Sequence, residues 1–145
     1  MAKSIYTAEA TVTGGRQEGH GRTSDGALDV QLRAPGEGGG TNPEQLFAVG
    51  YAACFESALG VVARRERAEA GDASITSRVS LLTGEDRSFH LAVELDVTLP
   101  QVQDAGEAVR IVQAAHAVCP YSNATRGNID VTLTANGQPV GQPVG

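Results

Sequence analysis

Apolar and polar positions alternate from Ile5 to Val12, which predicts a strand closing at Gly14-Gly15. The polar, glycine-broken stretch Gln17 to Thr23 predicts a short second strand, and Asp25-Gly26 marks a hairpin turn. Leu28, Val30 and Leu32 then alternate with Asp29, Gln31 and Arg33, a third strand with one buried face. The chain therefore opens as a three-stranded meander. Pro35 to Gly40 is a Gly-rich, flexible connection without the Lys-Ser/Thr of a phosphate cradle.

Thr41-Asn42-Pro43-Glu44-Gln45 has the chemistry of a helix start: Asn42 as cap, Pro43 in the opening position, Gln45 to close a capping box. Leu46 to Ala63 is apolar and rich in small residues, with Glu56 its one charge. Its length suits a membrane span, but its glycines, its charge and the lack of a second such segment favour a buried central helix. Arg64, Arg65 and Arg67 mark a solvated end, and Gly71 terminates the helix. Ile75 to Leu82 and the alternating Phe89, Leu91, Val93, Leu95 and Val97 predict a hairpin around Gly84-Glu85-Asp86, stopped by Pro100. Asp104 and Glu107 start a second helix, which Pro120 ends while biasing Cys119 towards extended geometry. Ile129, Val131 and Leu133 form a last strand, giving an α+β domain of order βββ-α-ββ-α-β over residues 1–136. The repeated Gly-Gln-Pro-Val of residues 137–145 predicts a flexible tail. A small sheet covers only one side of so apolar a helix, and a homodimer with helices from two chains packed between sheets would cover the other.

Composition narrows the function classes. With 145 residues, 11 Lys+Arg and 17 Asp+Glu, the net charge is −6 and the pI near 4.9. No basic run exists to displace counterions, so nucleic acid is not expected as a partner. Lys3 is the sole lysine, which argues against P-loop and Schiff-base chemistry. Met1-Ala2-Lys3-Ser4 leads straight into the alternating segment rather than an apolar stretch, so the expectation is a soluble cytoplasmic protein with no membrane association. His20, His90 and His116 lie far apart and no CxxC occurs, so no metal site is expected. Cys54 and Cys119 are then either two inert thiols or a redox couple.

Cys54 lies inside the apolar helix, where burial raises a thiol's pKa and the helix dipole has faded. A reactive Cys54 therefore requires a cation brought by tertiary structure. Arg16, following Gly14-Gly15, is the best candidate, and Glu44 is a natural carboxylate to fix its guanidinium. Ten residues separate Glu44 from Cys54, about 15 Å along an ideal helix, so serving both requires an irregular helix or a second subunit. Cys119, leaving a helix end, is expected to be more mobile than Cys54, which suits a resolving thiol. Tyr121 and Phe55 line an apolar pocket or simply pack in the core.

Thr41-Asn42-Pro43-Glu44-Gln45-Leu46-Phe47, Gly50-Tyr51-Ala52-Ala53-Cys54-Phe55 and Val118-Cys119-Pro120-Tyr121-Ser122-Asn123-Ala124-Thr125-Arg126-Gly127-Asn128 closely resemble the organic hydroperoxide resistance proteins (Ohr) of the OsmC/Ohr superfamily. The resemblance runs from about Tyr6 to Leu133, without departure at the motif positions. It implies an OsmC-like fold in an intertwined homodimer and a thiol peroxidase that reduces organic, including fatty-acid, hydroperoxides in oxidative stress defence. By the same resemblance Cys54 is the peroxidatic thiolate and Cys119 the resolving cysteine, the two forming a disulfide in turnover. Arg16 and Glu44 are the activating pair, and Phe47 and Tyr51 join Phe55 and Tyr121 around the substrate. No cofactor is bound; a dihydrolipoyl dithiol, as dihydrolipoamide or on a lipoylated protein, returns the electrons. The rivals are a lipid- or acyl-binding dimer that shares the apolar cleft, and a general thiol–disulfide oxidoreductase.

Overall fold

A computed structural model describes residues 2–141. The chain divides into two compact units, Met1–Leu46 and Phe47–Gly145.

The N-terminal unit is the expected meander. Strands β1 (Ala10–Thr13), β2 (Glu18–Thr23) and β3 (Asp29–Arg33) form an antiparallel sheet in that order. The β1–β2 turn is built on left-handed Gly14 and Gly15, with φ of 80° and 72°. A Cβ on Gly14 would sit 2.6 Å from the Glu18 carbonyl oxygen, so the turn that presents Arg16 requires glycine. At the β2–β3 turn, Asp25 accepts from the Ala27 N–H and the Thr23 hydroxyl, and these bonds hold its carboxyl below the usual value.

The strand expected from Ile5 starts only at Ala10. Ala10 already faces Thr23, the last residue of β2, and beyond it the partner turns away at Asp25-Gly26. Residues 2–9 therefore have no strand to pair with, and Ile5 is 98% exposed. Helix α1 (Pro43–Glu66) opens as expected, with Asn42 Oδ1 accepting from the Gln45 N–H at 2.9 Å. The Gln45 side chain does not close the expected capping box; its Oε1 accepts from the Thr41 hydroxyl at 2.7 Å.

In the C-terminal unit, β4 (Ser74–Thr83), β5 (Phe89–Thr98), β6 (Asp130–Ala135) and β7 (Gln138–Val140) form one sheet in chain order. β4 and β5 are the predicted hairpin, with Gly84 N–H donating to the Ser88 carbonyl. β5 and β6 run parallel, which demands a crossover. Helices α2 (Ala105–Val118) and α3 (Pro120–Thr125) supply it. Val93, Leu95 and Val97 of β5 turn inward and pack with Tyr51, Phe55 and Leu59 of α1 and with Ile111 and Val112 of α2.

Several expected boundaries move. α1 ends at Glu66 rather than Gly71, because Arg67 takes the left-handed conformation (φ 56°) and Ala68 N–H closes onto the Ala63 carbonyl. α1 is also not buried on every side: Val49 is 71% exposed, and Ala53 and Ser57 are exposed on the same stripe. Pro120 ends α2 as expected, but it also occupies the opening position of α3, a helix the sequence pattern did not suggest. Part of the expected flexible tail is strand. Asn136 and Gly137, at φ 49° and 84°, make the tight turn that returns Gln138–Val140 onto β6. Residues 142–145 of that tail lie outside the described residues.

Candidate active site

Cys54 and Cys119 are both free thiols, and the fold of the C-terminal unit brings them into hydrogen-bonding contact. Cys54 is half-buried on α1. Burial pushes its thiol above the ordinary value, the Tyr121 backbone N–H pulls it down by donating to the sulfur, and Cys119 pushes it up again. The Tyr121 donor exists because α3 begins at Pro120. The N–H groups of a first helical turn have no partner within the helix, and proline has none to give, so Tyr121 offers the first.

Cys119 was expected to be the more mobile thiol, and the structure corrects this. It is fully buried and held from both sides, its N–H donating to the Ala115 carbonyl and its carbonyl accepting from the Asn123 N–H, each at 2.9 Å. Its backbone is extended (φ −62°, ψ 125°), as expected before Pro120. A residue that ends one helix and caps the next has little freedom of its own.

Behind the thiols lies a buried polar cluster that the sequence pattern did not reveal. The Tyr51 hydroxyl meets Ser122 Oγ at 2.8 Å and Thr125 Oγ1 at 3.1 Å, and His116 Nδ1 meets the same Ser122 oxygen at 2.8 Å. Burial, the dominant cause, raises the Tyr51 phenol above its ordinary value, so the ring stays neutral and able to donate. Ser122 joins α1, α2 and α3 at one atom. The available signal was the Ser-x-x-Thr spacing of Ser122 and Thr125, which places both hydroxyls on one helix face. Ser122→Ala leaves buried groups of Tyr51 and His116 without this partner and is expected to cost about 1–3 kcal/mol, measurable as a lower urea midpoint with an unchanged slope.

The four aromatic residues expected around a substrate divide. Phe47 and Tyr121 line a cleft of about 480 Å³ with Leu91, Pro120, Ala124 and Ile129. Tyr51 and Phe55 have no exposed surface: Phe55 packs in the core, and Tyr51 lies behind the cleft against the rings of Phe47 and Tyr121. The Phe47 ring meets those of Tyr51 and Tyr121 edge-on, at centroid distances of 6.0 and 5.8 Å, and the two tyrosine rings lie tilted at 5.6 Å.

Arg16 and Glu44 meet as expected within the N-terminal unit, through an ion pair between Arg16 Nη2 and Glu44 Oε1. Glu44 is the less exposed partner, at 16% against 41% for Arg16. The β1–β2 turn carries the guanidinium and the first turn of α1 carries the carboxylate. Each unit thus assembles one of the two expected pairs.

Residues 36–134 match the family described as OsmC-like protein. The chain is 51% identical over 140 residues to the organic hydroperoxide resistance protein of Xanthomonas axonopodis pv. citri, covering 91% of this chain and 95% of that one. It is 47% identical to the organic hydroperoxide resistance protein OhrA of Bacillus subtilis, with 92% and 97% covered. Among solved structures, an organic hydroperoxide resistance protein from Legionella pneumophila superposes with a TM-score of 0.84 at 50% identity, over 90% of this chain and 97% of that one.

Proposed function

Because the chain belongs to the OsmC-like family, in its organic hydroperoxide resistance (Ohr) branch, and thus to oxidative stress defence, we propose that it is a cytoplasmic cysteine peroxidase that reduces alkyl hydroperoxides to alcohols. The observation that carries this is the pair of reduced thiols in contact, Cys54 half-exposed and Cys119 buried behind it. The cleft lined by Phe47 and Tyr121, the residue whose N–H meets the Cys54 sulfur, supplies the apolar surface an alkyl substrate would use. A binding module would have no use for two thiols so placed.

Cys54 thiolate attacks the peroxide oxygen distal to the alkyl group. The O–O bond breaks, a sulfenic acid forms, and the alkoxide leaves and takes a proton to become the alcohol. Cys119 sulfur then attacks the Cys54 sulfenic sulfur. A disulfide forms, and the displaced hydroxide leaves as water with the Cys119 proton. A dihydrolipoyl dithiol, free or carried on a protein, reduces this disulfide by exchange and is itself oxidised to the cyclic disulfide. Among the described residues of the C-terminal unit only the Tyr121 N–H favours the thiolate against burial, so a cation must supply the rest. We assign that role to Arg16, oriented by Glu44.

We further propose that the working form is a homodimer. Among the described large apolar side chains of the N-terminal unit only Leu32 is buried, while Ile5, Tyr6, Val12 and Leu28 are exposed. A three-stranded sheet needs a covered apolar face. The Val49-Ala53-Ser57 stripe on α1 likewise offers a second copy a smooth surface. Sedimentation equilibrium should return twice the 14.9 kDa chain mass; a monomer at micromolar concentration would refute the dimer.

The deciding assay is consumption of cumene hydroperoxide and of H₂O₂ with dihydrolipoamide as reductant. Turnover is expected to favour the alkyl substrate at least about tenfold, equivalent to about 1.4 kcal/mol of transition-state preference, which roughly two buried methylene groups can supply. Absence of turnover with any dithiol would end the peroxidase proposal and leave the apolar cleft as a binding site.

A further inference from the structure

The cleft lined by Phe47 and Tyr121 adjoins a larger, more polar cavity of about 660 Å³, and the two share Asn128 and Ile129 in their walls. Among the described residues Arg126 is the one cationic side chain lining either. It is half-buried and fixed in place, Nη1 donating to the His116 carbonyl at 2.8 Å and Nη2 to Asn123 Oδ1 at 2.5 Å. Both acceptors are neutral. Among the described residues Arg126 forms no ion pair, unlike Arg16, Arg22, Arg78 and Arg110. A guanidinium has five N–H donors, and those not spent on His116 and Asn123 find no acceptor among the described residues. Asp130 lines the same cavity from the start of β6, but it is exposed and outside ion-pair range of Arg126, so it does not cancel the charge.

Extending the peroxidase proposal above, we propose that Arg126 is an anchor for the carboxylate of an amphipathic substrate whose hydrocarbon chain occupies the adjoining cleft, so that hydroperoxides of fatty acids are preferred to their neutral esters. A pre-oriented, partly desolvated guanidinium without a carboxylate partner suits this ligand, because its charge-assisted hydrogen bonds replace water rather than an existing ion pair. The continuous wall of Asn128 and Ile129 lets one ligand present its polar end to Arg126 and its apolar chain to Phe47 and Tyr121.

The test compares linoleic acid hydroperoxide with its methyl ester at pH 8, using dihydrolipoamide, which carries no carboxylate. The wild type is expected to show a higher kcat/KM on the acid. Arg126→Gln should lower the acid-to-ester ratio about tenfold, and Arg126→Lys should restore part of it. Asp130→Asn, an exposed change that leaves the Arg126 bonds intact, should raise the same ratio. Equal losses on acid and ester in Arg126→Gln, together with no effect of Asp130→Asn, would reduce Arg126 to a structural residue and overturn the proposal. Calorimetric binding of the corresponding hydroxy acid and its methyl ester gives a readout that needs no turnover. Acid preference that Arg126→Gln erases supports the anchor even if the peroxidase reaction fails, and equal binding of acid and ester by the wild type overturns it.

Discussion

Cys54→Ser is expected to reduce hydroperoxide consumption to the uncatalysed level, while Cys119→Ser reduces a single equivalent and then stalls when dihydrolipoamide is the reductant. The two thiols touch but differ in access: Cys54 is half-buried, and Cys119 has no exposed surface. Of the two, only Cys54 has surface that a peroxide arriving from solvent can reach. A serine hydroxyl at position 54 is far less nucleophilic and far less acidic than a thiol, and the change is small enough to keep α1 packed.

Cys119→Ser leaves the attack on peroxide intact and removes the sulfur that would condense with the sulfenic acid. The product is an oxidised Cys54 that persists and adds dimedone, detectable by mass spectrometry. In the wild type the same treatment should yield a disulfide and little adduct. The thiols already share a hydrogen bond, so closing to an S–S length of about 2.05 Å asks for only a small movement. Steady turnover in Cys119→Ser would show that external thiol resolves the sulfenic acid directly. Turnover in Cys54→Ser would place the reacting sulfur elsewhere.

Much of this arrangement was legible in the residues, and the misses share a physical cause. Short-range chemistry was readable: Asn42 caps α1, Asp104 caps α2 by accepting from the Glu107 N–H, and Pro120 holds Cys119 extended. The alternation of Phe89 to Val97 gave β5, because a strand with one buried face writes its period into the sequence. Features decided by pairing or by burial were not readable. Whether residues 5–9 form strand depends on how far β2 runs opposite them, and whether Gln138–Val140 does depends on the free edge of β6. Asn136-Gly137 was a hairpin signal in plain view, masked by the repetitive residues that follow it.

For the candidate site, the cysteines, Arg16 and Glu44 stood out because their residue types are chemically distinctive. Ser122, Thr125 and His116 did not. Ser122 and Thr125 meet Tyr51 across more than seventy residues of sequence, His116 joins them through Ser122, and a buried serine looks like any other serine until its partners are known. The same limit explains the aromatics. Periodicity places Tyr51 and Phe55 four apart on one face of α1, but only the packed fold shows that this face meets the core rather than the cleft.

Arg16→Ala is expected to slow hydroperoxide reduction about 10²–10³-fold at pH 7, the range seen when one preorganised donor to a developing anion is lost. The loss should shrink as the pH rises. Burial raises the Cys54 thiol above its ordinary value, and among the groups of its own unit only the Tyr121 N–H opposes it. A thiol raised in this way and given no cation is mostly protonated at neutral pH, so in Arg16→Ala the rate should climb about tenfold per pH unit until the thiolate fills. The role proposed for Arg16 is to favour the charged form, and on that proposal the wild-type profile should level off at lower pH. Glu44→Gln should fall between the two, since it frees Arg16 without removing its charge. Arg16→Lys, a compact point charge in place of the planar guanidinium, should recover part of the rate. A stopped-flow pH series on the reduced proteins separates two roles. A deficit that narrows with pH assigns Arg16 to thiolate formation. A deficit constant from pH 6 to 10 would instead assign it to the departing alkoxide, whose charge does not depend on the Cys54 titration. No deficit at any pH would mean that a different cation activates Cys54.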